Sequence, residues 1–180
     1  MAATTIFRAF ILTLLAAFAA CVLIAVFGVA GCSKTAPPAQ STARVLAAAE
    51  VRTSLPGATL GDTAYAQVNS AWLRAYYDEF RAEIFRQGVV KWDDRFDCNH
   101  FAGYYVALAQ TKFYLANFQS RTSAQTLALG IFWYRPGAGI AGHAIVAALT
   151  ERGLVFVEPQ TGGELALTPA ERATVYLAVL

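Results

Sequence analysis

Gly142-His143-Ala144-Ile145-Val146-Ala147-Ala148-Leu149-Thr150-Glu151-Arg152-Gly153-Leu154-Val155-Phe156-Val157 decides the fold of this chain. Two apolar runs flank a short polar turn, which is the signature of an antiparallel hairpin. If Thr150 pairs with Gly153, His143 faces Gln160 directly, and Glu158 is its diagonal neighbour on the same face. Upstream, Thr126 to Tyr134 alternates in the strand manner, with Leu127, Leu129, Ile131 and Trp133 on one side. Pro136-Gly137-Ala138-Gly139 reads as the loop between the two. Downstream, Glu164 to Leu167 and Thr174 to Val179 add strands. Between them Thr168-Pro169-Ala170-Glu171 makes one capped helical turn with proline in its first position.

Helices precede these strands. Trp72, Tyr76, Phe80 and Ile84 recur every four residues and predict a helix over 70–87. Asn69 or Ser70 caps it and Gly88 ends it. A second helix is predicted over 98–116, with Phe101, Ala102, Tyr105, Val106, Ala109 and Phe113 on a broad face rich in small residues. Such a face suits a helix packed centrally against a sheet. Ala43 to Glu50 reads as a short helix that Leu55-Pro56-Gly57 breaks. Helices first and antiparallel strands afterwards give an α+β domain, with N-terminal helices packed on a C-terminal antiparallel sheet.

Ahead of the domain, an apolar run from Ala9 to Ala30 follows Arg8. Small residues before the cysteine in Val29-Ala30-Gly31-Cys32 resemble a lipoprotein processing box, so residues 1–31 read as a signal peptide and Cys32 as the lipid-bearing residue. The alternative is an uncleaved membrane anchor. Both place the remainder outside the cytoplasmic membrane, in the cell envelope. Ser33 after the cysteine lacks the aspartate of inner-membrane retention, which points to the outer membrane in a host with two. Ser33 to Gln40 is a tether of small residues and proline. The expected division is 1–31 leader, 32–68 lipidated cysteine and flexible tether, and 69–180 domain. The net charge is +2, with no cluster of lysine and arginine, so nucleic acid is not an expected partner.

The candidate chemistry centres on Cys98. Of the three cysteines, Cys21 lies in the leader and Cys32 carries lipid, which leaves one free thiol. Asp97 is a good N-cap, placing Cys98 in a first helical turn, where unpaired amides and the helix dipole favour thiolate. A lone cysteine with a later histidine and carboxylate is a signature of a thiol nucleophile. His143 is the candidate base, with Glu158 or Gln160 as the group that orients it. The alternatives are a buried Cys98 serving as a small apolar residue and a His143 that closes a strand end. His100 diverges from Cys98 by about 200° of helical rotation and faces solvent or a groove. No compact ligand spacing such as C-x-x-C or H-E-x-x-H is present, so neither metal nor cofactor is expected.

Asp97-Cys98 with Phe101-Ala102, Gly142-His143-Ala144-Ile145-Val146, and Val157-Glu158-Pro159-Gln160-Thr161 resemble motifs of the papain-like and transglutaminase-like cysteine hydrolase superfamily, over 71–180. The resemblance implies a papain-like or transglutaminase-like fold. It implies Cys98 as nucleophile, His143 as base and Glu158 as orienting residue, with Gln160 as the substitute for Glu158. It implies a cysteine peptidase or amidase acting by hydrolysis or acyl transfer at amide bonds of a peptide, isopeptide or peptidoglycan. The alternative is a catalytically inactive module of the same fold that binds a peptide, glycan or partner protein in the envelope.

Overall fold

The computed structural model describes residues 38–180 apart from Arg121. The expectations about the leader, Cys21 and Cys32 lie outside the described residues. Strands β1 (Ser41–Ala47), β2 (Ala64–Val68), β3 (Thr126–Leu127), β4 (Leu129–Tyr134), β5 (His143–Thr150), β6 (Gly153–Val157), β7 (Glu164–Leu165) and β8 (Leu177–Val179) form one mixed sheet. Four helices accompany it among the described residues: α1 (Ala48–Ser54), α2 (Ser70–Arg86), α3 (Cys98–Asn117) and α4 (Pro169–Ala173).

The hairpin forms in the expected register, with Thr150 opposite Gly153 and Val146 opposite Val157. β4 runs antiparallel on the other side of β5, and Tyr134 pairs with His143. Every residue of β5 after His143 is buried, because the sheet is covered on both faces. Ala144, Val146 and Ala148 join the core under α2 and α3. Ile145 and Ala147 pack on the opposite face with Phe132, Tyr134 and Phe156. This is the two-residue period of a strand, expressed in two separate cores. Ala102 and Ala109 of α3 are fully buried, and such small side chains let the helix backbone approach the sheet closely.

The expected fold class, helices packed on a C-terminal antiparallel sheet, is corrected on two points. Strands β1 and β2 precede the long helices, and the sheet is mixed. β2 runs parallel to β3, with Tyr65 opposite Thr126, and parallel to β5, with Val68 opposite Thr150. The helix expected over 43–50 is strand as far as Ala47. Its alanines favour helix locally, yet Leu46 pairs with Tyr65 and Ala47 with Ala64, and tertiary pairing outweighs a weak propensity. In β2, Tyr65 to Val68 are all buried, so no alternation marked it as a strand. The flexible tether expected over 32–68 therefore gives way to ordered sheet from Ser41 onward.

Candidate ligand-binding site

The end of β4, the start of β5, the segment after β6 and the start of α3 meet at one end of the sheet. Asp97 caps α3 by accepting from the amides of Asn99, at 3.0 Å, and His100, at 3.4 Å. The His100 ring nitrogen Nδ1 lies 2.9 Å from the same carboxylate, and its ring stacks on Phe96. His100 is thereby engaged in the cap. Burial pushes the Asp97 carboxyl up, but the hydrogen bonds from the His100 ring and from the two amides outweigh it and hold the group below its usual range. Cys98 begins the helix, half-buried against the helix-side core. The Trp133 indole N–H donates to Asn99 Oδ1 at 2.6 Å. That bond ties the first turn of α3 to β4, one residue before Tyr134, the partner of His143.

His143 and Glu158 are brought into direct contact. Nε2 lies 2.6 Å from Oε2, with the two side chains 25% and 14% exposed. Beyond Val157 the ladder between β5 and β6 stops, and a turn redirects the chain so that Glu158 reaches the ring. The Glu158 amide donates to Gly163 at 2.9 Å, and its carbonyl accepts from the Gly162 amide at 2.7 Å. The Gln160 amide donates to the second carboxylate oxygen at 3.1 Å. The Gln160 carbonyl in turn accepts from the Tyr77 hydroxyl of α2 at 2.9 Å. Of the two candidates expected to orient His143, Glu158 is the one hydrogen-bonded to it, and Gln160 positions that carboxylate through its backbone. The Tyr134 ring meets His143 edge-on at 6.0 Å. Burial, then the negative charges of Glu171 and Glu158, raise its hydroxyl above the usual tyrosine value.

Two cavities border neighbouring segments, and neither has His143 or Glu158 in its walls. One, of ≈ 590 Å³, lies between the loop that follows Tyr134 and helix α4, and includes Arg135, Thr168, Glu171 and Thr174 in its walls. The other, of ≈ 80 Å³, lies between α2 and the start of α3, and is bordered by Phe80, Trp92, Phe101, Pro159 and Gln160. Trp92 is 51% exposed. Asn99, Tyr77, Arg135 and Glu171 were not among the sequence candidates. Their roles arise from contacts between distant segments, and the sequence carries no local mark of them. Among the described residues, no group of three or more histidine, cysteine or acidic side chains is arranged to hold a metal ion.

No family model matches the chain, and no curated protein matches it. Solved structures do. A chain of Polyporus squamosus lectin, bound to the human-type influenza-binding epitope Neu5Aca2-6Galb1-4GlcNAc, superposes with a TM-score of 0.57 at 18% identity, covering 76% of this chain and 49% of that one. A chain of the PSL1a-E64 complex superposes with a TM-score of 0.53 at 19% identity, covering 76% of this chain and 51% of that one. The present chain thus spans about half the length of these chains. At this identity the likeness concerns the fold. It corrects the expectation of a papain-like or transglutaminase-like cysteine hydrolase, since a matching solved chain is that of a lectin. The peptidase, amidase and hydrolase functions drawn from that resemblance fall with it. The motifs misled because they are short. An N-capped helix start and an apolar hairpin arise from packing alone, and Cys98, His143 and Glu158 are single residues within them.

Proposed function

We propose that this chain is a glycan-binding module of the cell envelope, which takes its ligand at the cleft around His143 and Glu158. The observation that carries this reading is a pre-formed, half-buried His143–Glu158 hydrogen bond, held by the Gln160 amide and flanked by the Tyr134 ring, on a fold shared with about half of a lectin chain whose structure holds a sialylated trisaccharide. A sugar hydroxyl both donates and accepts. A carboxylate accepts from it and an imidazole N–H donates to it. A pair already locked by the Glu158–Gly163 turn needs little ordering when the ligand arrives. Arg135 in the larger cavity suits an acidic sugar, and the exposed indole of Trp92 offers an apolar face beside Gln160. Gln160 is half-buried beside the smaller cavity, and Cys98 is half-buried at the start of α3.

The same proposal includes the anchor. Residues 1–31 serve as signal peptide, Cys32 carries lipid, and the segment through Gln40 tethers a domain that begins at Ser41. The apolar run Ala9–Ala30 and the small residues before Cys32 support this. The destination is the outside of the cytoplasmic membrane, and the outer membrane in a host with two.

The test is a calorimetric titration of the full chain in detergent with Neu5Aca2-6Galb1-4GlcNAc and with a panel of neutral and acidic glycans. We expect saturable binding to at least one. Removing a hydrogen bond to a charged group costs about 1.5–3 kcal/mol, so His143→Ala and Glu158→Gln should each weaken it by about ten- to a hundredfold. Absence of binding to every glycan, or variants that bind like the parent, would overturn the reading.

A further inference from the structure

The end of the domain opposite the His143–Glu158 pair carries an exposed apolar patch. Tyr114, Leu115 and Phe118, at the C-terminal end of α3, are 59%, 67% and 66% exposed. The rings of Tyr114 and Phe118 meet edge-on at 5.5 Å. Single exposed apolar residues are ordinary, but a cluster on one surface calls for a partner.

The position of the patch identifies that partner. Helices α2 and α3 run antiparallel: the Tyr104 hydroxyl donates to Glu83 near one end, and Lys112 pairs with Glu79 toward the other. The start of α2 therefore lies beside the last turns of α3. Just before α2, the Asn69 amide donates to the Gln40 carbonyl at 3.0 Å. The chain thus enters the domain at the end where α3 finishes. Cys98 opens the same helix, whose 20 residues span about 30 Å. The cleft is at the far end from the entry point.

We propose that Tyr114, Leu115 and Phe118 form a docking surface for the lipid bilayer, which turns the ligand cleft outward. This rests on the anchoring reading above. The segment Ser33–Gln40 has eight residues and reaches at most about 28 Å when fully extended. On the anchoring reading, the entry end is therefore never farther than about 28 Å of chain from the lipid. Tyrosine suits the headgroup level, and phenylalanine and leucine suit the acyl boundary beneath it. The anchor already supplies a high local concentration of lipid, so a small patch suffices to set orientation without binding membranes strongly on its own. A second copy of the chain is the competing occupant, but nothing ties such a copy to the entry end, whereas the anchor ties the bilayer to it.

The test uses the full chain in nanodiscs of phosphatidylcholine and phosphatidylglycerol doped with a doxyl-labelled lipid. Amide relaxation enhancement is read by NMR, and flotation with vesicles of the same composition is measured in parallel. The expected result is flotation, with enhancement at 112–119 several-fold above that at 98–100 and 143. It should be lost in the Tyr114→Ser, Leu115→Ser, Phe118→Ser triple variant, which still floats. Flotation with equal enhancement at both ends, or with the larger enhancement at the cleft, overturns the docking surface and leaves the anchor standing. Failure to float overturns the anchor and, with it, this inference.

Discussion

Glu158 reaches His143 because a turn with one exacting position holds it there. Gly162 sits at φ 77°, in the region that side chains rarely adopt, and the Tyr77 ring occupies the space a Cβ would take. Gly162→Ala should displace either the turn or Tyr77, and with them the Gln160 carbonyl that Tyr77 holds. Strain of this kind costs about 1–3 kcal/mol. A chemical denaturation curve should show that loss, and an unchanged midpoint would argue that the turn is not what positions the carboxylate. The nearness of His143 and Glu158 was legible from the hairpin register, but the ladder ends at Val157 and it is the following turn, unread in the sequence, that makes the contact. The bond from Trp133 to Asn99 and the one from Tyr77 to Gln160 were not legible. Each joins segments far apart in the chain, and neither residue differs in type from an ordinary core aromatic.

At the level of elements, both long helices depend on caps built from polar side chains. Asp97 holds the start of α3, and Asn69 holds that of α2 by accepting from the Ala71 amide at 2.9 Å. Asp97→Ala should cost about 1 kcal/mol of stability at neutral pH. The Asp97 carboxyl titrates below its usual range, so its stabilising contribution is present above the unfolded value and disappears as pH falls through the lowered folded value. Urea denaturation of parent and variant at a series of pH values should therefore show the gap closing on acidification. A gap that stays constant would mean that the cap does not act through the ionised carboxylate. Glu151 gives α2 a second cap from across the fold, accepting from the Ser70 hydroxyl and from its amide at 3.1 Å. These hydrogen bonds, the Ser70 hydroxyl first, lower its pKa. In the sequence Glu151 was only a turn residue. The helices and the hairpin could be read because burial on one face leaves a clear period. Strands β1 and β2 could not, because one is an exposed alanine-rich edge and the other is buried almost throughout.

For the whole molecule, those two strands matter most. They convert a helices-then-sheet layout into a mixed sheet covered on both faces, with the chain's entry point at one end and the His143–Glu158 pair at the other. The sequence supports a free thiol, a histidine and a carboxylate in the right order, and order alone suggested a hydrolase. The three-dimensional likeness, to about half of a lectin chain at 18% identity, concerns the fold, and the proposed glycan reading rests on the His143–Glu158 pair. Exposed Tyr114, Leu115 and Phe118 lie on the last turns of α3, toward the end where the chain enters the domain.

The most direct test of this account is a map of where a glycan sits. Amide shifts of the full chain in nanodiscs should be followed by NMR during titration with Neu5Aca2-6Galb1-4GlcNAc and with any glycan that binds in calorimetry. Saturable shifts are expected at 98–100, 133–143 and 157–162, with their loss in Glu158→Gln. Shifts confined to other surfaces, or a spectrum that no glycan perturbs, would contradict it.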